Sequence, residues 1–255
     1  MTSDFELAGP SWIIEWDAYE AEANYFVEDV YVLVLNTLHA SSRYLSEEAE
    51  KQQARIESHL EGAKDEPAGR LAQDHADIGI ELAEQERFLR NQALVSLMSR
   101  LTYGLFRMTR LADTWNEPNL HGGSRHRNED GRDEFKKIWR EYRERFNINF
   151  SAKHIGFVDR YRRVRNRIVH CGGQANTFLS YGEIDFQTGI DGGLDESFSR
   201  DYPEFVTGEG RNAQVEVTDD LLELAASKSC ALVAYAAQQL RLKELDFFKQ
   251  KIVEI

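Results

Sequence analysis

The stretch LVSLMSRLTYGLFRM, residues 94–108, places Leu94, Met98, Leu101, Leu105 and Met108 at steps of four, three, four and three residues. That rhythm returns each side chain to one side of an α-helix, and it extends over a helical segment of about 70–115. Upstream, Trp12, Trp16, Tyr19, Ala23, Phe26, Val30, Leu33, Thr37 and Leu38 repeat the pattern through 11–60, as one long amphipathic helix or two joined. Gly62, Pro67 and Gly69 separate the two segments. Downstream, 116–132 holds Pro118, Gly122, Gly123 and Gly131 among charged residues and reads as a loop. Phe135, Ile138, Trp139, Tyr142 and Phe146 then mark a short helix, and Phe157, Tyr161, Val164 and Ile168 mark another. Eight of the 17 glycines fall in 172–217, with Pro203 and brief alternation at Ile184/Phe186 and Val215/Val217. This is an irregular excursion with room for a small hairpin. A last helix begins near Thr218, where Asp219 and Asp220 are placed to cap it, with Glu223 three residues after Asp220. Its run AASKSCALVAYAAQQL is rich in small residues, which admit a close partner helix. The expectation is an all-α protein, one domain over 1–255 with a non-helical insertion at 172–217.

The bulk properties narrow the function. A formal net charge of −13 argues against coating long nucleic acid with the whole surface, so any such contact is local. Cys171 and Cys230 fit neither a disulfide framework nor zinc-ligand spacing, which suggests a reducing, cytoplasmic setting. No basic region precedes an apolar run at the N-terminus, and 30–35 is too short to cross a bilayer. No membrane role is expected. His121, Arg125 and His126 lack metal-ligand spacing, and no metal or other cofactor is expected.

Against this acidic background stands RNRIVHCGG, residues 165–173. With 22 arginines and 7 histidines, an arginine five residues before a histidine is expected about 0.6 times by chance. Requiring asparagine after the arginine lowers this to about 0.03, and Arg165, Asn166 and His170 alone satisfy it. The other Arg-Asn pairs, Arg90/Asn91, Arg127/Asn128 and Arg211/Asn212, read as helix-surface or loop polar residues. On an ideal helix Asp159, Arg163, Asn166 and His170 share a face opposite the apolar stripe, whereas Arg165 projects about 140° from His170. Five arginines lie between positions 160 and 167, a steep positive focus suited to phosphate. An arginine-rich face is also commonly solvated or salt-bridged to a neighbour.

At these residues the chain resembles the HEPN superfamily, whose signature is an arginine, often followed by asparagine, then a histidine after four to six intervening residues. RNRIVH fits the R-N-x-x-x-H form. The resemblance implies an antiparallel bundle of long helices, homodimerisation around the motif and, in many members, metal-independent RNA cleavage in toxin or phage-defence systems. A possible partner is then an antitoxin or defence-system protein. The position two residues after the histidine, tyrosine in some HEPN toxins, is Gly172 here. Cleavage without metal needs a base for the ribose 2′-hydroxyl, positive charge at the transition state and a proton for the leaving oxygen. His170 is the acid/base candidate, Arg165 the phosphate clamp, and Asn166, one turn before His170, orients the imidazole or holds substrate. Arg162, Arg163 and Arg167 are candidate substrate contacts. The excursion at 172–217 is expected to shape RNA access, so that shortening it alters substrate choice more than stability. The alternative is a non-catalytic HEPN-like module that binds RNA, a nucleotide or a protein partner.

Overall fold

The computed structural model describes residues 11–62, 68–113, 134–178 and 194–253. Its architecture is mostly helical, with two small two-stranded sheets among the described residues. The order is α1 (Ser11–Glu28), a π-helical segment (Asp29–Asn36), α2 (Thr37–Gly62), α3 (Ala68–Ala112), α4 (Glu134–Phe146) and α5 (Ala152–Cys171). Strands β1 (Thr177–Phe178) and β2 (Leu194–Asp195), α6 (Ser197–Asp201), β3 (Val206–Thr207) and β4 (Gln214–Val215) precede the long α7 (Asp219–Val253). The loop expected at 116–132, with His121, Arg125 and His126, and the alternation at Ile184/Phe186 lie outside the described residues.

The first expected helix continues through its midpoint by widening. In the π-helical segment each turn takes up more residues, and the Thr37 hydroxyl donates to the Val32 carbonyl five residues back, at 3.5 Å. The buried stripe therefore moves off the α-helical register: after Tyr19, Phe26 and Val30 it continues through Val34, Leu35 and Leu38, and Thr37 is exposed. A uniform 3.6-residue period could not anticipate that shift. The α3 stripe follows the sequence expectation, with Leu94, Met98, Leu101, Leu105 and Met108 all buried.

Packing divides the chain into two units, 1–30 with 98–159 and 226–255, and 31–97 with 160–225. In the first, Gly104 admits α1, since a Cβ there would stand 3.1 Å from the Phe26 ring. The Tyr142 hydroxyl donates to the Leu105 carbonyl at 2.9 Å, and burial pushes its pKa well above the usual phenol value. Phe150 joins Trp139, Tyr142 and Tyr235 in an aromatic cluster with centroids 4.6–5.7 Å from it. Arg107 pairs with the buried Glu22 at 3.0 Å, and Arg100 pairs with Asp29. Helix α4 closes on Asn147 at φ +51°, where the Ile148 amide reaches back to the Tyr142 carbonyl at 3.0 Å.

In the second unit a buried amide organises the chain. Asn91 Nδ2 donates to the Val215 carbonyl at 3.1 Å, and the Val217 amide donates to Asn91 Oδ1 at 3.2 Å. Asn91 is only 7% exposed, so its expected place on a helix surface is corrected. The Arg-Asn pair continues inward because Arg90, beside it, pairs with Glu86 and Glu216 at 3.7 Å. The expected hairpin forms at Val206↔Val215 and Thr207↔Gln214, closing through Gly208 at φ +76°, where a Cβ would stand 2.8 Å from the Asn212 carbonyl oxygen. Phe198, Phe205, Ala213, Val215 and Val217 are buried. The excursion thus supplies core residues, and removing it whole would cost stability. At α7 the cap is Thr218, whose hydroxyl accepts the Leu221 amide at 3.3 Å. Asp219 and Asp220 instead occupy the first turn, where negative charge favours the helix dipole.

Replacing Asn91 with alanine should strand two buried backbone groups and lower stability by about 2–4 kcal/mol. Urea unfolding measures this directly; a loss near zero would show that Val215 and Val217 do not depend on the amide.

Candidate functional site

Helix α5 presents the motif because its apolar positions are spent on the core. Tyr161, Val164 and Ile168 are buried as expected, but Phe157 is only half-buried and Val158 takes its place in the core; the Tyr161 hydroxyl donates to the Leu221 carbonyl at 3.3 Å. Burial raises the Tyr161 pKa, partly offset by the charge of Arg160. The opposite side carries Arg163 and His170, both exposed, and Asn166, half-buried. The N-terminus of the helix is capped by the Ser151 hydroxyl, which accepts the His154 amide at 3.3 Å.

Arg165 lies half-buried beside Asn166, and its Nη1 donates to Asn166 Oδ1 at 3.0 Å. The asparagine oxygen therefore holds the guanidinium, an arrangement that projection on an ideal helix did not disclose.

The other arginines divide. Arg160 forms an ion pair with Glu204 and lies 5.7 Å over the Phe205 ring. Arg167 lies 5.1 Å over the Phe198 ring and approaches Cys171 Sγ at 3.5 Å. Asp195 has its carboxyl held below the usual carboxylate range, first by hydrogen bonds from Ser197 and then by the charges of Arg167 and Arg200. Arg162 is half-buried, and Arg163 faces solvent. Sequence reasoning offered no signal for Asp195, Phe198, Glu204 and Phe205, because each meets α5 only through the fold of the excursion.

His170 occupies the last turn of α5, just before Gly172 and Gly173 at φ +60° and +82°. No atom lies within 4 Å of a Cβ placed on Gly172, so backbone conformation rather than space calls for glycine there. The Val215 amide donates to the Gly173 carbonyl at 2.6 Å, and the Ala175 amide donates to the Ala213 carbonyl at 3.0 Å. The chain leaving His170 is thereby fixed against β4 instead of trailing from the helix. The Asn176 amide donates to the Gly210 carbonyl at 2.8 Å and its oxygen accepts from Ser199, which closes the excursion on itself.

Chemically, the arrangement joins an exposed imidazole, a guanidinium held by an amide, and further positive charge on one helix. Among the described residues no group of three or more His, Cys, Asp or Glu side chains is placed to hold a metal ion. Cys171 and Cys230 are free thiols, and burial raises that of Cys230. No described helix is long and apolar enough to cross a membrane. Compared with known protein families, curated proteins and solved structures, the chain matches none of them.

The depressed Asp195 carboxyl stabilises the fold above its unfolded pKa, and that contribution is lost as pH falls through its lower folded value. Below about pH 4 the Ser197 amide, which donates to Asp195 Oδ1 at 3.0 Å, should lose protection relative to its intrinsic exchange rate. Hydrogen exchange read by NMR should show this fall in protection factor, and Asp195→Asn should flatten it. An unchanged profile in the variant would assign the acid sensitivity elsewhere.

Proposed function

We propose that the chain is a metal-independent endoribonuclease of HEPN type, acting as a toxin or phage-defence effector. The observation that carries this reading is the fixed pair Arg165–Asn166, with Nη1 and Oδ1 3.0 Å apart, one helical turn before the exposed His170. A module made only to bind phosphate has no need of an imidazole on the helix that carries the guanidinium.

In this mechanism the ribose 2′-oxygen attacks phosphorus and the bond to the 5′-oxygen breaks, leaving a 2′,3′-cyclic phosphate and a free 5′-hydroxyl. His170 takes the 2′-hydroxyl proton, since imidazole is suited to proton transfer near neutral pH. Arg165 grips two phosphate oxygens and meets the charge that builds on them. Asn166 acts as a positioning residue by presenting that guanidinium. Arg163 extends the grip along the strand, while Arg162 and Arg167 add positive potential beside it. The leaving oxygen also requires a proton, and a second copy of the chain supplies it through its own His170 across a twofold axis. The active form is therefore a homodimer in which both motif helices face one RNA strand.

The second reading is a non-catalytic HEPN-like module for RNA, a nucleotide or a protein partner; Arg160 and Arg167 are engaged with Glu204, Phe205 and Phe198, so part of the arginine row serves the fold and fewer arginines remain for a catalytic site.

Incubation with labelled RNA in EDTA separates the two. Cleavage should persist, should require a 2′-hydroxyl at the scissile position, and should fall about 10²-fold to 10⁴-fold in His170→Ala. Because His170 is exposed, thermal unfolding of that variant should be unchanged. Arg165→Lys should also be poor, since it keeps the charge and loses the two-pronged contact. Equal cutting of an all-DNA strand refutes the mechanism; RNA binding without cleavage selects the second reading. Full activity of a strictly monomeric protein refutes the shared site.

A further inference from the structure

Helices α2 and α3 pack antiparallel within the second unit, joined by a hydrogen bond from Ser42 Oγ to Glu86 Oε1 at 3.1 Å. Their outer parts form a seam without a core. No described side chain of α2 beyond Leu38, and none of α3 before Asn91, is fully buried. Two helices alone cannot enclose a stripe of apolar side chains, and here the stripe stays partly in water.

The open side of the seam is a groove. A cavity of about 890 Å³ is lined by Val32, Tyr44, Leu45, Phe88 and Leu89. Tyr44 is 61% exposed, Phe88 60% and Val32 53%, large values for side chains that face one another across two helices. A second cavity of about 420 Å³, lined by Ile56 and Ile78 among others, continues along the same rows of residues. On α2 the lining positions 41, 44, 45, 52 and 56, and on α3 the positions 74, 78, 81, 85 and 88, keep helical spacing. The two cavities thus lie in line along the same pair of helices.

Its charges are one-sided. The α3 wall presents Asp74, Asp77, Glu81 and Glu84 at steps of three, four and three residues. Arg55 is the one cation lining either cavity. Carboxylates so spaced repel one another along the helix. Asp77 and Glu81 accept hydrogen bonds from Gln73 and Gln85, amides that bring no charge. Aromatic and aliphatic surface beside a row of carboxylates calls for an occupant that is apolar on one side and cationic along its edge.

We propose that this groove docks an amphipathic helix of a partner protein, its apolar face against Tyr44 and Phe88 and its lysines or arginines against Asp74, Asp77, Glu81 and Glu84. The groove's shape suits a third helix laid along two, which completes the missing side of the core. A second copy of the chain would set the same four carboxylates against these four, as an isologous contact requires. RNA and anionic membranes bring phosphates that the carboxylates repel. The site is separate from the arginine-bearing α5 and does not rest on ribonuclease activity.

The test uses the full chain and a fluorescein-labelled synthetic helix with leucines on one face and flanking lysines, beside a twin in which glutamates replace the lysines. Fluorescence anisotropy should show binding of the lysine helix and binding of the glutamate helix weaker by about tenfold or more. Tyr44→Ser with Phe88→Ser should weaken the lysine helix by a similar factor, and both side chains are exposed enough for the fold to persist, checked by circular dichroism. Glu81→Lys with Glu84→Lys should shift the preference towards the glutamate helix, a reversal that general stickiness cannot produce. His170→Ala should bind as the parent does. The proposal is overturned if the parent binds neither helix, if the serine variant binds as the parent does, or if the lysine variant shows no shift. It is equally overturned if sedimentation finds a dimer that the serine variant dissolves, because a second copy then fills the groove.

Discussion

One buried side-chain amide holds the segment after the motif helix in place. Asn91 has α3 behind it and, in front, the backbone of 215–217, where it satisfies a carbonyl and an amide. Both groups lie in the interior, away from water, and would carry a heavy desolvation cost if left unpaired. From this clamp, β4 is positioned to bond Gly173, and Gly173 immediately follows the turn that ends α5. The surroundings of His170 are thus set by a residue nearly eighty positions earlier in the chain.

Electrostatics gives α5 two roles. Arginines at its two flanks lie over aromatic rings of the excursion, where the guanidinium face gains contact without losing its charge. Arg165 is turned instead to Asn166, and Arg163 to water. The closely spaced arginines thus divide between contacts with the excursion and exposed positive charge. The same contrast of sign separates α5 from the α2–α3 groove, whose wall is acidic, so an anion and a cationic helix would not compete for one place.

Periodicity in the sequence was sufficient for the helices. The stripe at 94–108, the short aromatic helix at 134–146 and the apolar face of α5 are local patterns, and burial follows most of their positions because each element has one side that water disfavours, with Trp139 and Phe157 left half-buried. The exposed position of His170 was legible for the same reason: the stripe takes the other face. The hairpin around Gly208 was visible in part, through the alternation of Val215 and Val217. The helix start at 218 was legible too, although the hydroxyl of Thr218, not the aspartates, supplies the cap.

Tertiary structure alone decided what depends on residues far apart. A period of 3.6 contains no sign that 29–36 winds wider, because the change redistributes backbone hydrogen bonds to fit the packing of Val30, Val34 and Leu38. Asn91 reads as an ordinary polar residue until Val215 and Val217 arrive opposite it. The glycine-rich composition of 172–217 concealed Phe198 and Phe205 as core residues, since glycine supplies the turns and the few apolar side chains between them supply the burial. The types and spacing of Arg165, Asn166 and His170 were written in the sequence; the bond from Arg165 to Asn166 and the capture of Arg160 and Arg167 by the excursion were not. A side chain's direction is set by its neighbours in space, and those neighbours exist only once the chain has folded.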